Sequence, residues 1–278
     1  MAHSSLAPLP ILTGPRLPDQ LTVDHGPRTL LARFFLEADR AARSRGVYLR
    51  LYAELDGLVA FNRRAVRWGT LTPIFRPDCG LIKQDSAFWI EGRTAAGEIV
   101  ATQAARIFDW ADSDLVREFA SLEALYADPA TRRAAGERWS VTAPSGPKIR
   151  GRVVFSGAGW YNPRFRGIGL SRILPRISRA YAYTRWRSDF TISMVDPILT
   201  QKGVVASYGY SRIEKAVELE RSFRGDTSFD LVWMPESELL ADLEAYLAIP
   251  AEKRVLNTEE PETNMVPSAV VQGRSRRS

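Results

Sequence analysis

A chain of 278 residues that is 45% hydrophobic and 25% charged can bury a sizeable core, in one large or two modest globular domains. Its single cysteine, Cys79, excludes an intrachain disulfide, and its two histidines, His3 and His25, leave no ligand set for a structural metal. No apolar run approaches the roughly 18 residues that span a bilayer, the start lacks a basic residue cluster followed by an apolar stretch, and the expectation is a cytoplasmic protein that makes no use of a membrane.

Residues 1–26, rich in Pro, Gly and Ser, read as a poorly ordered lead. His25 lies in DHGPRT and reads as a surface turn residue; a dyad with Cys79 has no local signature, because PDCG is itself turn-like. Residues 28–45 put Leu30 or Leu31, Phe34, Ala38, Ala41 and Ala42 on one stripe, a helix that Gly46 stops. A short strand and a second helix fit within 47–66. Ser86 to Trp110 divides into two strands around TAAGE, a hairpin. Residues 113–127 read as a helix capped by Ser113, and a loop of Ala, Pro and Gly then leads to the strand RVVFSGAGW at 152–160.

The stretch NPRFRGIGLSRIL, residues 162–174, follows that strand. Gly167 and Gly169 have no Cβ, so the backbone can bend tightly there and approach a ligand closely. A helix begins after them, with Leu170, Ile173, Leu174, Ile177, Ala180 and Tyr181 on one face, and Pro175 inside it would cost about 3 kcal/mol. DFTISMV at 189–195 is a short strand, 197–207 a helix leading into YGY at 208–210, and RIEKAVELE and FDLVWM two antiparallel strands joined by FRGDTS. From about 255 to 278 no apolar period remains and the tail is expected to be disordered, which leaves one domain over 27–254. The order of elements predicts an α+β, three-layer (α/β) arrangement with one strand–turn–helix–strand crossover at its centre. A glycine turn in that crossover exposes the unsatisfied N–H groups and positive dipole end of the helix, where a pyrophosphate binds best.

Charge agrees with that position. Of the 38 Lys and Arg, ten fall between Lys148 and Arg187, a span without Asp or Glu, and the other 28 face 32 acidic residues elsewhere. Such a field attracts polyanions: a phosphorylated cosubstrate, nucleic acid or an anionic surface.

Pro163 to Ser171, PRFRGIGLS, resembles the P-x-[YF]-R-G-x-G-[IL]-[GA] loop of the GCN5-related N-acetyltransferase superfamily, in which R/Q-x-x-G-x-G/A binds the pyrophosphate of acyl-coenzyme A. Ser171 stands where the family usually has Gly or Ala. DFTISMVD, the following helix and YGY are similar to the family's strand, helix and GF turn, with Gly209 and Tyr210 in the GF position. The resemblance covers about residues 28–236 by element order and about 160–210 by motif. It implies an acyl-CoA N-acyltransferase-like fold, a mixed and mostly antiparallel sheet flanked by helices. It also implies acetyl-CoA or another acyl-CoA as cosubstrate, held by Arg166, Gly167, Ile168, Gly169, Leu170 and Ser171, and a small-molecule or peptide amine as acceptor.

Acyl transfer in that family is direct, from thioester to amine. A proton must leave the amine, the thioester carbonyl must be polarised, and the thiolate must be protonated. The family's thiolate-protonating tyrosine falls here at Val205, so Tyr208, or else Tyr210, is the candidate acid. The strand before the loop carries no carboxylate, and Asp196 and Glu91 are the candidate bases. Trp160 and Tyr161 either wall an acceptor pocket or close the core. Two other readings stand beside the enzyme. An acyl-CoA-binding protein without catalysis would fit Val205 and the missing carboxylate. A nucleic-acid-binding module would use the arginines interleaved with Phe165, Tyr181, Tyr183 and Trp186, although the basic residues concentrate around one turn inside a predicted core crossover.

Overall fold

The structure is a computed structural model and describes residues 15–250 apart from residue 66. In chain order the elements are α1 (Leu17–Gln20), α2 (Arg28–Arg43), β1 (Tyr48–Tyr52), α3 (Asp56–Arg64), β2 (Ala87–Arg93), β3 (Ile99–Trp110), α4 (Leu115–Ala120), α5 (Pro129–Ala134) and β4 (Arg138–Val141). There follow β5 (Gly151–Tyr161), α6 (Leu174–Trp186), β6 (Phe190–Val195), α7 (Pro197–Gln201), α8 (Val204–Ser207), β7 (Arg212–Ser222), β8 (Gly225–Pro235) and α9 (Glu236–Ala248). The strands form one sheet in the order β1-β2-β3-β5-β6-β8-β7-β4. Every neighbouring pair is antiparallel except β5 and β6, whose connection through α6 makes them parallel.

Each face of the sheet is covered, as three layers require. On one face α2, α6 and α9 bury Phe34, Ala38, Ile177 and Leu243 against Phe88, Ile90 and Val154. On the other, α3, α4 and the turn Pro73–Phe75 bury Leu58, Phe119 and Phe75 against Trp89, Phe155 and Ile192. The fold class is thus the expected mixed, mostly antiparallel sheet flanked by helices.

Several local expectations change. The packed chain begins before residue 27: Leu17 is fully buried, Arg16 is paired at 2.6 Å with buried Asp39, and Gln20 exchanges hydrogen bonds with the backbone of Leu51 on the edge strand β1. A four-residue helix leaves too short an apolar period to recognise. His25 donates its N–H to Thr184 Oγ1 and sets its ring 5.1 Å from that of Tyr183, on the α6 face. Cys79 packs on the opposite face, where burial pushes its thiol up, so the two form no dyad. The helix expected over 113–127 stops at Ala120, because Leu122 adopts a positive φ, and its cap is Asp114, which accepts from the Arg117 N–H. The helix expected from 170 begins only at Leu174, so Pro175 sits in its first turn, where no helical bond is lost. Gly203, at φ +72°, divides the helix expected over 197–207 into α7 and α8. The remaining lead and tail, 1–14 and 251–278, lie outside the described residues.

Candidate active site

Strands β5 and β6 pair only over Val153–Phe155 and Phe190–Ile192. Beyond that point β5 stays bonded to β3 and β6 to β8, and the two strands part. The divergence has a local cause. Ala158 takes a positive φ, the register against β3 shifts between Thr102 and Ala104, and the Thr102 hydroxyl donates to the Ala158 carbonyl at 2.8 Å. A bulge of this kind bends a strand away from its neighbour.

Ser156 and Ser193 are the first residues past the last paired ones on either side of the gap, and the Tyr210 phenol stands next to both and to Arg179. Its hydroxyl is buried without a formed hydrogen bond among the described residues. Burial pushes this phenol up, against the pull of Arg179. The Arg179 guanidinium is fully buried, 4.4 Å from the Tyr210 ring centre, and donates to the Tyr208 carbonyl at 2.7 Å and to Asp242 at 3.3 Å. Burial draws its pKa down, opposed by Tyr210 and Asp242. Its Nε and Nη1 groups find no acceptor among the described residues. Buried donors left this way are costly, at about 1–3 kcal/mol each.

At the end of β5 the loop 166–173 carries Gly167 at φ +71° and Gly169 at φ +77°, both in the left-handed region. Leu170 and Ile173 anchor it in the core beneath α2 and α6. The N–H groups from Gly167 through Leu170 make no bond to another backbone carbonyl among the described residues. Arg45, at the end of α2, donates to the Ile168 carbonyl from Nε and to Ala41 at 2.6 Å. Burial lowers its pKa; Tyr246 opposes that shift and the charge of Arg172 adds to it. The charge of Arg172 thus opposes that of Arg45, a repulsion that an anion relieves. Sequence reading missed Arg45, which lies about 120 residues from the loop by sequence separation. The Ser207 hydroxyl donates to Ser171 Oγ at 2.9 Å and ties the turn after α8 to the loop. Arg166 is exposed and donates to the Tyr161 carbonyl.

The candidate acid–base residues are spread out. Tyr208 packs against Val195, Val205 and Val232, and Val205 itself is core. Asp196 is exposed and caps α7 by accepting from the Ile198 N–H at 3.0 Å. Glu91 is 2% exposed, ion-paired with Arg93 and in reach of the Tyr52 hydroxyl. It shares a row across the sheet with Thr102 and Trp160, two strand spacings or about 10 Å from β5. Glu91 and Asp196 are not brought together, because β3 and β5 stand between their strands. Several of the basic residues in 148–187 are neutralised inside the fold: Arg164 by Glu98, Arg176 and Arg179 by Asp242, and Arg185 by Asp85. Among the described residues no group of three His, Cys, Asp or Glu side chains could hold a metal ion, and no helix is long and apolar enough to cross a membrane.

No family model matches the chain, and no curated protein matches it. Among solved structures it is similar to an aminoglycoside acetyltransferase, AAC(6')-Ib, in complex with coenzyme A and kanamycin, at 14% identity over 69% of this chain and 96% of that one, TM-score 0.37. It is also similar to NAA60 of Arabidopsis thaliana in complex with acetyl-CoA, at 12% identity over 69% and 99% of the two chains, TM-score 0.41. A third, an uncharacterized protein from Bacillus halodurans, is 10% identical over 72% and 89%, TM-score 0.42. In its RFRGIGLS loop, in the order of its elements and in a mostly antiparallel sheet whose one parallel pair parts beside that loop, the chain resembles the GCN5-related N-acetyltransferase superfamily.

Proposed function

We propose that the protein is an acyl-CoA-dependent N-acyltransferase that binds its cosubstrate across the loop 166–171 and in the gap between β5 and β6. The observation that carries this reading is the parting of the one parallel pair at Phe155 and Ile192, next to the Gly167–Leu170 amides, which bond to no backbone carbonyl among the described residues. The pyrophosphate fits those amides together with Arg45 and Arg172, and an amide carbonyl of pantetheine fits the unmatched donors of Arg179. In the reaction the acceptor nitrogen bonds to the thioester carbonyl carbon and the C–S bond breaks. The amine proton goes to a base and the thiolate takes a proton.

Tyr210 suits the second proton transfer better than Tyr208. Its phenol lies where the strands part, and burial keeps it protonated. Glu91 suits the base role better than Asp196, since it shares a row across the sheet with Trp160 of β5, whereas Asp196 is taken up in capping α7. A second reading, acyl-CoA binding without transfer, draws support from Val205, buried where the family's acid would stand.

Calorimetric titration with acetyl-CoA, with dephospho-CoA and a random oligonucleotide as controls, tests the reading. Micromolar binding of the cofactor, abolished in Gly169→Asp at unchanged helix content, is expected. No binding, or unchanged affinity in that variant, would overturn it. Binding without turnover over a broad amine panel would leave the second reading standing.

A further inference from the structure

Trp160, which pairs with Thr102 of β3 on the part of β5 that has already left β6, lines a groove of about 660 Å³ between α3, the β2–β3 turn and the residues after β5. The groove has an aromatic wall. The Phe61 ring meets Trp160 edge-on at 5.1 Å, and Trp68 stacks on Trp160 at 5.9 Å with planes 26° apart. Trp160 is only 7% exposed, and its Nε1–H, a donor with no acceptor function, is buried without a partner among the described residues.

Four arginines line the same groove: Arg64, Arg67, Arg93 and Arg164. Two are neutralised, Arg93 by Glu91 and Arg164 by Glu98. Arg64 and Arg67 have no carboxylate partner among the described residues, and Arg64 instead lies 5.8 Å over the Phe61 ring. The groove is therefore lined by apolar rings and two uncompensated positive charges, and one unmet indole donor is buried in that lining. A polycation is repelled there, whereas a carboxylate is attracted by charge and is an acceptor of the kind the indole lacks.

We propose that this groove selects the acceptor, and that the acceptor is an aromatic amine that also carries a carboxylate, of the amino-acid or aminobenzoate class. The inference rests on the acyltransferase reading, and its amine would be the nucleophile of that reaction. The carboxylate would lie between Arg64, Arg67 and Trp160 Nε1, and the ring against Phe61 and Trp160.

Two measurements on the full chain separate this inference from the acyltransferase reading. In the first, intrinsic tryptophan fluorescence follows titration with phenylalanine, tryptophan and 4-aminobenzoate, each beside its decarboxylated counterpart phenethylamine, tryptamine and aniline, and with kanamycin as the polycation. At least one carboxylate is expected to bind tenfold or more tightly than its counterpart, with kanamycin weakest. That preference should fall towards unity in the Arg64→Ala, Arg67→Ala double variant, whose calorimetric affinity for acetyl-CoA stays unchanged. Trp160→Phe keeps the aromatic wall and removes the donor, and about a tenfold loss of carboxylate affinity is expected. In the second, thiol release from acetyl-CoA is followed with the same amines, and kcat/KM should rank as binding does. Equal binding of carboxylates and counterparts, no binding of any carboxylate, or a preference for kanamycin would overturn the inference even if acetyl-CoA binds. Loss of acetyl-CoA binding alone would overturn the acyltransferase reading and leave the groove's selectivity measured on its own.

Discussion

Gly209 and Gly167 share a positive φ, +78° and +71°, and differ in what surrounds them. A Cβ on Gly209 would run into Arg176 Nη2 and lie 2.7 Å from Asp242 Oδ1, whereas nothing lies within 4 Å of the corresponding position at Gly167. The Arg176–Asp242 pair closes bidentate at 2.9 and 2.7 Å, and it holds α6, α9 and the turn before Tyr210 together. Gly209→Ala should therefore cost at least about 2 kcal/mol in urea unfolding, from strain and a displaced ion pair. Gly167→Ala should cost about 1–2 kcal/mol, from backbone strain alone. Equal losses at the two positions would mean that the close approach at Gly209 relaxes freely. Tyr210→Phe removes only the hydroxyl from the gap. Under the proposed role, kcat falls by about 10²–10⁴ while acetyl-CoA affinity stays within a few-fold. A wild-type kcat in that variant would remove Tyr210 from the chemistry.

Tyr183 gives the residue scale a pH dependence. Its hydroxyl donates to Glu236 at 2.9 Å, and burial, followed by that carboxylate, pushes the phenol up to about 12. A phenol whose folded-state pKa is raised stabilises the fold fully below the unfolded value near 10. Above it the unfolded chain loses its proton first, so the contribution shrinks as pH rises from about 10 to about 12. The expected result is a melting temperature that drops over that window by less in Tyr183→Phe than in the wild type. An identical drop in both would assign the alkaline loss to other groups.

At the scale of elements, α1 has the clearest consequence. A single turn of helix has no stability of its own, so its order derives from Leu17 in the core and from Arg16 and Gln20 at its flanks. It also covers part of the open edge of β1, which would otherwise present unpaired backbone groups. Leu17→Ala is expected to cost about 2–5 kcal/mol by chemical unfolding, and a loss below 1 kcal/mol would show the strap to be dispensable. Nothing in MAHSSLAPLPILTGPRLPDQ announces this, because one buried leucine has no period. By contrast α9 was open to reading and was missed: Leu239, Leu243, Tyr246 and Leu247 recur at helical spacing in ESELLADLEAYLA. The strands of the central crossover and the glycine turn were legible, since alternation and glycine pairs are local signals. The bulge at Ala158, the reach of Arg45 to the loop and the position of the Tyr210 phenol were not, because each depends on a partner distant in sequence.

At the scale of the whole molecule, the sheet consists of two halves, β1-β2-β3-β5 and β6-β8-β7-β4, joined by only three residue pairs between β5 and β6. The helical layer holds them together: α6 and α9 pack on Val154 of one half and Met234 of the other. A cosubstrate lying in the gap would bridge the halves along the stretch where the sheet does not. Hydrogen exchange distinguishes that arrangement from binding at the loop alone. With acetyl-CoA at a hundredfold excess over Kd, binding adds about 2.7 kcal/mol of stability whatever the site, so a rise in melting temperature is not diagnostic. The location of protection is. Slowed exchange is expected at Ser156–Tyr161 and Ser193–Val195 together with the loop amides 167–171, and it should vanish in Gly169→Asp. Protection confined to 167–171 would mean that the ligand touches the glycine turn without entering the gap, and the unmet donors of Arg179 and Tyr210 would then belong to the fold and not to the cosubstrate.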